Sequence, residues 1–203
     1  MKIDMHVHIS ENDHYIDDTV KYISEAKRKG LDGFCITDHD AVALGKEAEA
    51  IGREYDFLVL VGCEYSSCDG HLLIYGLGDD ECVKTTKPAQ EIIDAVGKSG
   101  IVIPSHPFSH SFISLRDGIY NINGLVALEA INGSCERYMN DMAIDAQKRL
   151  EIKGIGGSDA HCSRKVGNAY TVFEKEIRTV AELLEELRNG NYYPEYNKRF
   201  FSR

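Results

Sequence analysis

Histidines and acidic residues recur at the ends of strand-like segments throughout this 203-residue chain. The first such segment carries His6 and His8, and because side chains alternate faces along a strand, both imidazoles project from the same side. The later segments end on Thr37-Asp38-His39, Gly62-Cys63-Glu64, Ser105-His106-Pro107 and Gly157-Ser158-Asp159-Ala160-His161. Residues of these types can act together only in a fold that brings the strand ends to one place.

Strand-like and helix-like segments alternate along the chain. Strands are predicted over 3–8, 32–37, 57–63, 72–75, 101–104, 125–131, 155–157 and 169–173, and helices over 17–29, 41–55, 88–98, 136–153 and 179–189. This alternation predicts an α/β fold with parallel strands and helices packed outside. A closed barrel collects all strand ends on one face, whereas an open sheet offers one crevice, so we expect a barrel. Residues 190–203 form an aromatic and basic tail that we expect to pack on the barrel or on a partner subunit. Packing on a partner subunit would make the protein a homo-oligomer.

The composition favours one soluble domain spanning residues 1–203, because 43% of the residues are hydrophobic and 28% are charged. The apolar runs are too short to span a bilayer and the N-terminus does not resemble a signal peptide, so we expect a cytoplasmic protein. The six cysteines form no Cys-x-x-Cys pair, which argues against zinc-finger and disulfide frameworks. The net charge of −10 argues against tight binding of long nucleic acid. A small phosphorylated substrate stays open, since bound cations would invert the local field.

The ordered set of motifs resembles the polymerase and histidinol phosphatase (PHP) family. The resemblance covers most of the chain and rests on His6-x-His8, His14, Thr37-Asp38-His39, Gly62-Cys63-Glu64, Ser105-His106-Pro107 and Gly157-Ser158-Asp159-Ala160-His161. It implies a distorted (β/α)7 barrel, similar to a TIM barrel, that holds two or three divalent metal ions.

The resemblance also implies a ligand set for each metal. The first metal would take His6, His8, Glu64 and Asp159; the second would share Glu64 and add His106 and His71; the third would take His14, His39 and His161. Imidazole mixed with carboxylate suits manganese, iron or zinc, and a shared carboxylate can hold two cations close together. We expect Glu129 to lie behind the ligands and His110 to have no role.

The implied activity is hydrolysis of a phosphate ester, on a small phosphomonoester or a nucleotide-type substrate, by a hydroxide that bridges two metals. Asp159 or Asp38 would accept the proton of the water, and His161 or His39 would protonate the leaving oxygen where the third metal is absent. Three cationic side chains are candidates for the phosphate, although each also reads as an ordinary solvated charge: Arg116, Arg164 and Lys165.

Three other functions stay open. A protein-tyrosine phosphatase of the same barrel family would share the metal motif. An amidohydrolase-type C–N hydrolase also opens with His-x-His, but no lysine stands at a strand end in the middle of the chain to serve as a bridging ligand. A non-catalytic metal-binding accessory barrel is disfavoured because the ligand set is intact.

Overall fold

Nine strands and five α-helices make up the regular part of the residues that the computed structural model describes, which are 1–9, 14–41, 45–77, 86–97 and 99–198. The strands are β1 (Lys2–Val7), β2 (Gly33–Ile36), β3 (Leu58–Ser66), β4 (His71–Tyr75), β5 (Ile101–Pro104), β6 (Ala127–Asn132), β7 (Lys153–Gly157), β8 (Ala169–Phe173) and β9 (Tyr192–Tyr196). The helices are α1 (Tyr15–Arg28), α2 (Gly45–Glu54), α3 (Ala89–Val96), α4 (Arg137–Leu150) and α5 (Val180–Asn189), with 3-10 turns at Arg116–Asn121 and Ser163–Lys165. Residues 42–44 of the second predicted helix, residue 98 of the third and residues 199–203 of the predicted tail lie outside the described residues.

The strands form a seven-stranded sheet in the order β5-β4-β3-β2-β1-β8-β9 and a two-stranded sheet of β6 and β7. Strands β1, β2 and β3 are parallel, whereas β4 is antiparallel to both β3 and β5, and β8 is antiparallel to both β1 and β9. The prediction of parallel strands throughout is therefore wrong for β4 and β8. Residues 67–70 alone join β3 to β4, and a parallel crossover needs about a dozen residues or more.

The reversal of β4 and β8 leaves the candidate ligands on one face. A strand that runs backwards begins at the edge where its neighbours end, and His71 is the first residue of β4. Isolated bridges also join Val7 to Ala160 and His39 to Glu64 at this edge. The α/β class is thus confirmed, with a curled sheet that β6 and β7 complete, while closure as a (β/α)7 barrel stays a prediction.

The inside of the curled sheet is apolar up to the level of the candidate ligands. One buried cluster draws side chains from all nine strands and from α5, so it lies within the curl. Two further clusters pack under the outer helices, one beneath α1 and α2 and the other beneath α3 and α4. The face that carries the candidate ligands is therefore supported by a packed apolar core inside the curled sheet.

Strand β1 changes the direction of its side chains near its end. Ile3 and Met5 belong to the cluster inside the curl, whereas Val7 belongs to the cluster beneath α1 and α2. The register with β2 is irregular between Asp4 and Val7. A β-bulge re-aims the residues that follow it, which lets His6 follow Met5 into the interior.

The first part of the predicted tail is a strand. Strand β9 pairs antiparallel with β8, and the ring of Tyr192 packs against that of Phe173 with centroids 5.4 Å apart. The sequence prediction ended regular structure at residue 189 and missed this strand. Among the described residues, no helix combines the length and the apolar character that crossing a bilayer requires.

Candidate metal centre

Four side chains converge at the end of β1, and three of them, His6, His8 and Glu64, form a group that could hold a metal ion. His6 Nε2 lies 3.0 Å from His8 Nε2, 3.3 Å from Glu64 Oε2 and 3.6 Å from Asp159 Oδ1. His8 Nε2 lies 3.2 Å from Glu64 Oε2 and 3.4 Å from Asp159 Oδ1. Ligands at about 2.0–2.2 Å around a tetrahedral ion are separated by roughly 3.3–3.6 Å. Three of these distances lie in that range and two are shorter, and His6, His8 and Glu64 form a group that could hold a metal ion, with Asp159 Oδ1 near both histidine nitrogens.

The second oxygen of Glu64 faces another group of side chains. Glu64 Oε1 lies 3.0 Å from His106 Nε2 and 3.3 Å from His71 Nδ1. It also accepts a hydrogen bond from Ser105 Oγ at 2.7 Å, a contact to which the sequence assigned no role. Because Glu64 offers one oxygen to each group, it occupies the place of a shared carboxylate.

A third group of histidines lies nearer the surface. The ligand nitrogens of His8, His39 and His161 lie within 4.8 Å of one another. The side chains of His39 and His161 are 46% and 55% exposed, so this group forms the mouth of the site. His14 has an exposed side chain at the start of α1 and belongs to none of the potential metal-binding groups found among the described residues. Its role as a third-metal ligand stays a prediction.

Glu129 lies behind the ligands, where the sequence led us to expect it. Its Oε1 is 3.0 Å from His6 Nδ1, and its Oε2 accepts the backbone N–H of His106 at 2.7 Å. Asn132, which the sequence analysis missed, donates to Glu129 Oε2 at 3.0 Å and lies 3.4 Å from Asp159 Oδ2. The register of β6 shifts between Glu129 and Ile131, so two polar residues three positions apart reach the same side.

Asp4 and Asp38 support the first histidine pair from two sides. Asp4 Oδ1 accepts the backbone N–H groups of His6 at 3.2 Å and Ser158 at 2.7 Å, and its Oδ2 accepts that of Gly167 at 2.7 Å. Burial raises the pKa of Asp4 to about 6, against the lowering effect of these hydrogen bonds. Asp38 Oδ1 accepts the N–H of Ile9 at 2.8 Å and lies 3.9 Å from His8 Nδ1.

The ionisation of the side chains in this centre suits the binding of a cation. Burial lowers the pKa of His6, but the nearby carboxylates Glu64, Glu129 and Asp159 outweigh it and raise that pKa well above its usual value. Burial opposes ionisation of Glu64 and Asp159 as well, yet the charge of His6 holds both pKa values below their usual range. Anionic oxygens and imidazoles of this kind are the donors that manganese, iron and zinc accept, so the residues fit a divalent metal.

Metal binding at this centre should strengthen as the pH rises. Metal coordination requires neutral imidazole, and the raised pKa of His6 means that its proton is still held above pH 6.5 and must be displaced. We expect the affinity for Mn²⁺ to be lost as the pH falls through that raised pKa, and proton release on binding. Isothermal titration calorimetry between pH 6 and pH 8.5 in buffers of different ionisation enthalpy measures both. An affinity that does not change over this range would contradict the assignment of His6 as a ligand.

Gly157 allows β7 to approach the first ligand closely. A Cβ atom built at Gly157 would clash with His6 Cβ and would lie 2.8 Å from His6 N and 2.9 Å from Glu129 Oε1. Overpacking of this kind costs about 1–3 kcal/mol, so we expect Gly157→Ala to lower both thermal stability and metal affinity. Gly118→Ala is the matched control, because nothing lies within 4 Å of a Cβ there. Equal melting temperatures for the two variants would contradict this account.

The candidate phosphate-binding residues lie on exposed segments beside the centre. Arg116 begins a 3-10 turn, and its guanidinium Nη2 is 2.5 Å from His110 Nδ1, so His110 has a contact that the sequence did not predict. Arg164 and Lys165 lie in the turn that follows His161, and Lys29 Nζ donates to the carbonyl oxygen of Arg164 at 2.6 Å. Among the described residues, no contact joins any of these three cationic side chains to a candidate metal ligand. Their role in phosphate binding stays a prediction.

Comparisons with known proteins place the chain among relatives with the same fold. The PHP-associated family model matches residues 137–192. An uncharacterized protein of Methanocaldococcus jannaschii is 25% identical over 142 residues, which cover 65% of this chain and 82% of that protein. Among solved structures, PsfC of Pseudomonas syringae PB-5123 is similar with a TM-score of 0.72 at 17% identity, covering 98% of this chain and 93% of that chain.

Two further solved structures share the fold. A protein of Bifidobacterium adolescentis assigned as a metal-dependent phosphoesterase has a TM-score of 0.63 at 16% identity, with 91% of this chain and 96% of that chain covered. Endonuclease Q, in complex with a 27-mer duplex substrate with an abasic lesion, has a TM-score of 0.60 at 18% identity, with 95% of this chain and 57% of that chain covered.

Proposed function

We propose that this chain is a PHP-type metal-dependent phosphoesterase acting on a small phosphomonoester or a nucleotide-type phosphate ester, which the match to the PHP-associated family model and the similar solved structures support. The observation that carries the proposal is the position of Glu64. Its two oxygens contact two separate groups of potential metal ligands, and a shared carboxylate is typical of centres that hydrolyse phosphate esters with two metals. The Bifidobacterium adolescentis structure, described as a metal-dependent phosphoesterase, and the endonuclease Q structure, with its duplex substrate, support this choice.

The proposed ligand residues would hold the metal ions next to the reacting phosphate and fix their positions. Bound divalent metal ions would lower the pKa of a water molecule and neutralise the phosphoryl oxygens. The side chains of His6, His8, Glu64, His71, His106 and Asp159 would hold these ions. Glu129 fixes the tautomer of His6 through Nδ1, since a carboxylate at 3.0 Å favours a proton on that nitrogen and leaves Nε2 free as a ligand.

We assign proton transfer to residues near the mouth of the site. Asp159 is held as an anion by His6 and His8, so it serves better as a ligand than as a base. Asp38 lies beside His8 and is partly exposed, which suits a group that accepts the proton of the attacking water. His161 Nδ1 is 3.2 Å from the carbonyl oxygen of Asp159 and can donate to it, which leaves Nε2 to exchange a proton with the leaving oxygen at the exposed mouth. His39, also at the mouth, is the alternative donor.

Arg116, Arg164 and Lys165 are the residues we propose to bind the phosphate of the substrate. All three are exposed and follow ligand-bearing segments, at 116 after Ser105-His106-Pro107 and at 164 and 165 after His161. Arginine can bind a phosphate through two parallel hydrogen bonds.

The test is hydrolysis of p-nitrophenyl phosphate and bis(p-nitrophenyl) phosphate by protein stripped with EDTA and reloaded with Mn²⁺, Fe²⁺ or Zn²⁺. We expect turnover only with metal, and the preferred ester separates monoesterase from diesterase activity. Glu176→Gln is the control variant and is expected to keep wild-type turnover, because Glu176 is exposed and pairs with Arg178, outside the centre.

Three outcomes would overturn the proposal in favour of its alternatives. Preference for phosphotyrosine peptides would identify a protein-tyrosine phosphatase. Hydrolysis of amides without hydrolysis of phosphate esters would identify a C–N hydrolase. Stoichiometric metal binding without turnover of any ester or amide would identify a non-catalytic barrel.

A further inference from the structure

The loop after β5 and one residue of α4 place aromatic rings beside the metal centre. We define the aromatic rim as Phe112, His110 and Tyr138, with Arg116 attached to His110. We propose that this rim binds a planar aromatic group in the organic part of the substrate. The inference rests on the proposed phosphoesterase function and names the substrate class that the centre would select.

The backbone of this loop is fixed against two candidate ligands. Ser114 Oγ donates to the carbonyl oxygen of His106 at 3.0 Å, and the backbone N–H of His71 donates to the carbonyl oxygen of Ile113 at 3.1 Å. The N–H of Arg116 donates to the carbonyl oxygen of Pro107 at 2.7 Å. The rim is therefore held in place by the same segments that carry the second group of ligands.

Phe112 links the rim directly to the centre. Its ring packs on that of His106 with centroids 4.7 Å apart and planes inclined by 35°, and His106 Nε2 is 3.0 Å from Glu64 Oε1. Phe112 is nonetheless 37% exposed. An apolar ring left open at the mouth of a charged centre offers a stacking surface to whatever ester is bound next to it.

The second part of the rim adds a ring pair and a cation. His110 and Tyr138 stack with centroids 6.1 Å apart and planes inclined by 29°, and Tyr138 is 47% exposed. The guanidinium of Arg116 contacts His110 Nδ1 at 2.5 Å. A planar guanidinium beside exposed rings can contact both a phosphate and an aromatic face. This combination suits a phosphate ester that carries an aromatic ring, and gives no advantage to a purely aliphatic one.

The aromatic ring of the substrate has two chemical sources, a nucleobase or a phenol. The test compares two substrate pairs that differ in the ring: adenosine 5′-monophosphate against ribose 5-phosphate, and O-phosphotyrosine against O-phosphoserine. In the first pair the leaving group is in both cases the primary 5′-hydroxyl of a ribose, so the difference in intrinsic reactivity is small. In each pair the measured quantity is the ratio of kcat/KM with the ring to kcat/KM without it, in the Mn²⁺-loaded protein.

We expect Phe112→Leu and Tyr138→Leu each to lower this ratio by roughly tenfold, which is the scale of one aromatic stacking contact. A fall confined to the nucleotide pair identifies a base, and a fall confined to the amino-acid pair identifies a phenol. Tyr55→Leu is the matched control, because Tyr55 is 40% exposed beside the end of α2 and lines a surface pocket with Ile16 and Val20 of α1, away from the centre.

Ratios within twofold of the wild-type protein in both variants and both pairs would overturn the inference while leaving the proposed function intact, because all four esters would still be hydrolysed. Failure of the wild-type protein to hydrolyse any of the four would overturn the proposed function, and the inference with it. Measured metal content of each variant separates loss of stacking from loss of metal.

Discussion

Replacing Glu64 by glutamine is expected to weaken binding of the second metal equivalent by roughly two to three orders of magnitude and to abolish phosphate ester hydrolysis. The change keeps the shape of the side chain but removes its charge. Whichever way the amide turns, its NH₂ group faces either the His6 and His8 nitrogens or the His71 and His106 nitrogens. Removing one partner of a buried charged group costs about 3–5 kcal/mol, and here the group belongs to two sets of ligands at once.

Glu129→Gln is the matched control for this experiment. Glu129 is as deeply buried and contacts His6, yet it lies behind the ligands rather than among them. Loss of such a supporting contact typically weakens metal binding by about 10–100-fold. Metal stoichiometry by mass spectrometry and affinity by calorimetry give both values. A Glu64→Gln protein that binds metal within tenfold of wild type and turns over ester would contradict the assignment.

Replacing Asp4 by alanine is expected to lower the free energy of unfolding by about 3 kcal/mol or more. The side chain accepts three backbone N–H groups, from His6, Ser158 and Gly167, and all of these bonds are buried. Each buried donor left without an acceptor costs about 1–3 kcal/mol. Asp4→Asn should lose less, because its amide oxygen still accepts hydrogen bonds.

Urea denaturation of the metal-stripped protein measures this effect separately from metal binding. Asp32→Ala is the control: Asp32 Oδ2 accepts the N–H of Lys2 at 2.7 Å, but the bond is exposed at the other end of β1. We expect a loss below about 1 kcal/mol there. Similar midpoints for Asp4→Ala and Asp32→Ala would show that Asp4 does not hold the strand end together.

Local sequence patterns were enough to select most of the residues that the structure brings together at the centre. His6 and His8 are brought together by the alternation of a single strand, and Glu64, His106 and Asp159 end strands whose apolar residues are easy to recognise. All five helices and eight of the nine observed strands overlap the predicted segments. Strand β9 was missed because its sequence, Tyr-Tyr-Pro-Glu-Tyr, contains a proline and only aromatic apolar residues, which by themselves also suit a surface tail.

The parts that depend on pairing between distant segments were not predictable in the same way. His71 reaches the centre because β4 runs backwards. The stretch between the predicted strands 57–63 and 72–75 is too short for a parallel crossover, and the prediction of parallel strands did not take this signal into account. Asn132 joins the centre through an irregular register in β6 that breaks the two-residue period. His8, assigned to one metal, also lies against His39 and His161, with ring centroids 4.6 Å and 4.2 Å away, because parallel neighbours bring their ends side by side.

If each of the two ligand groups holds a metal ion, as we propose, the position of Glu64 between them would make the occupancies of the two metal positions thermodynamically linked. A cation that binds one oxygen fixes the torsions of this side chain, so a second cation meets a carboxylate whose ordering cost has already been met. The two ions also repel each other across the same group, and the sign of the linkage depends on which effect is larger. By reciprocity, the factor by which an ion at the first position changes the affinity at the second equals the factor by which the ion at the second changes the affinity at the first. Mixed-metal forms of this protein should therefore be more or less abundant than independent binding would predict.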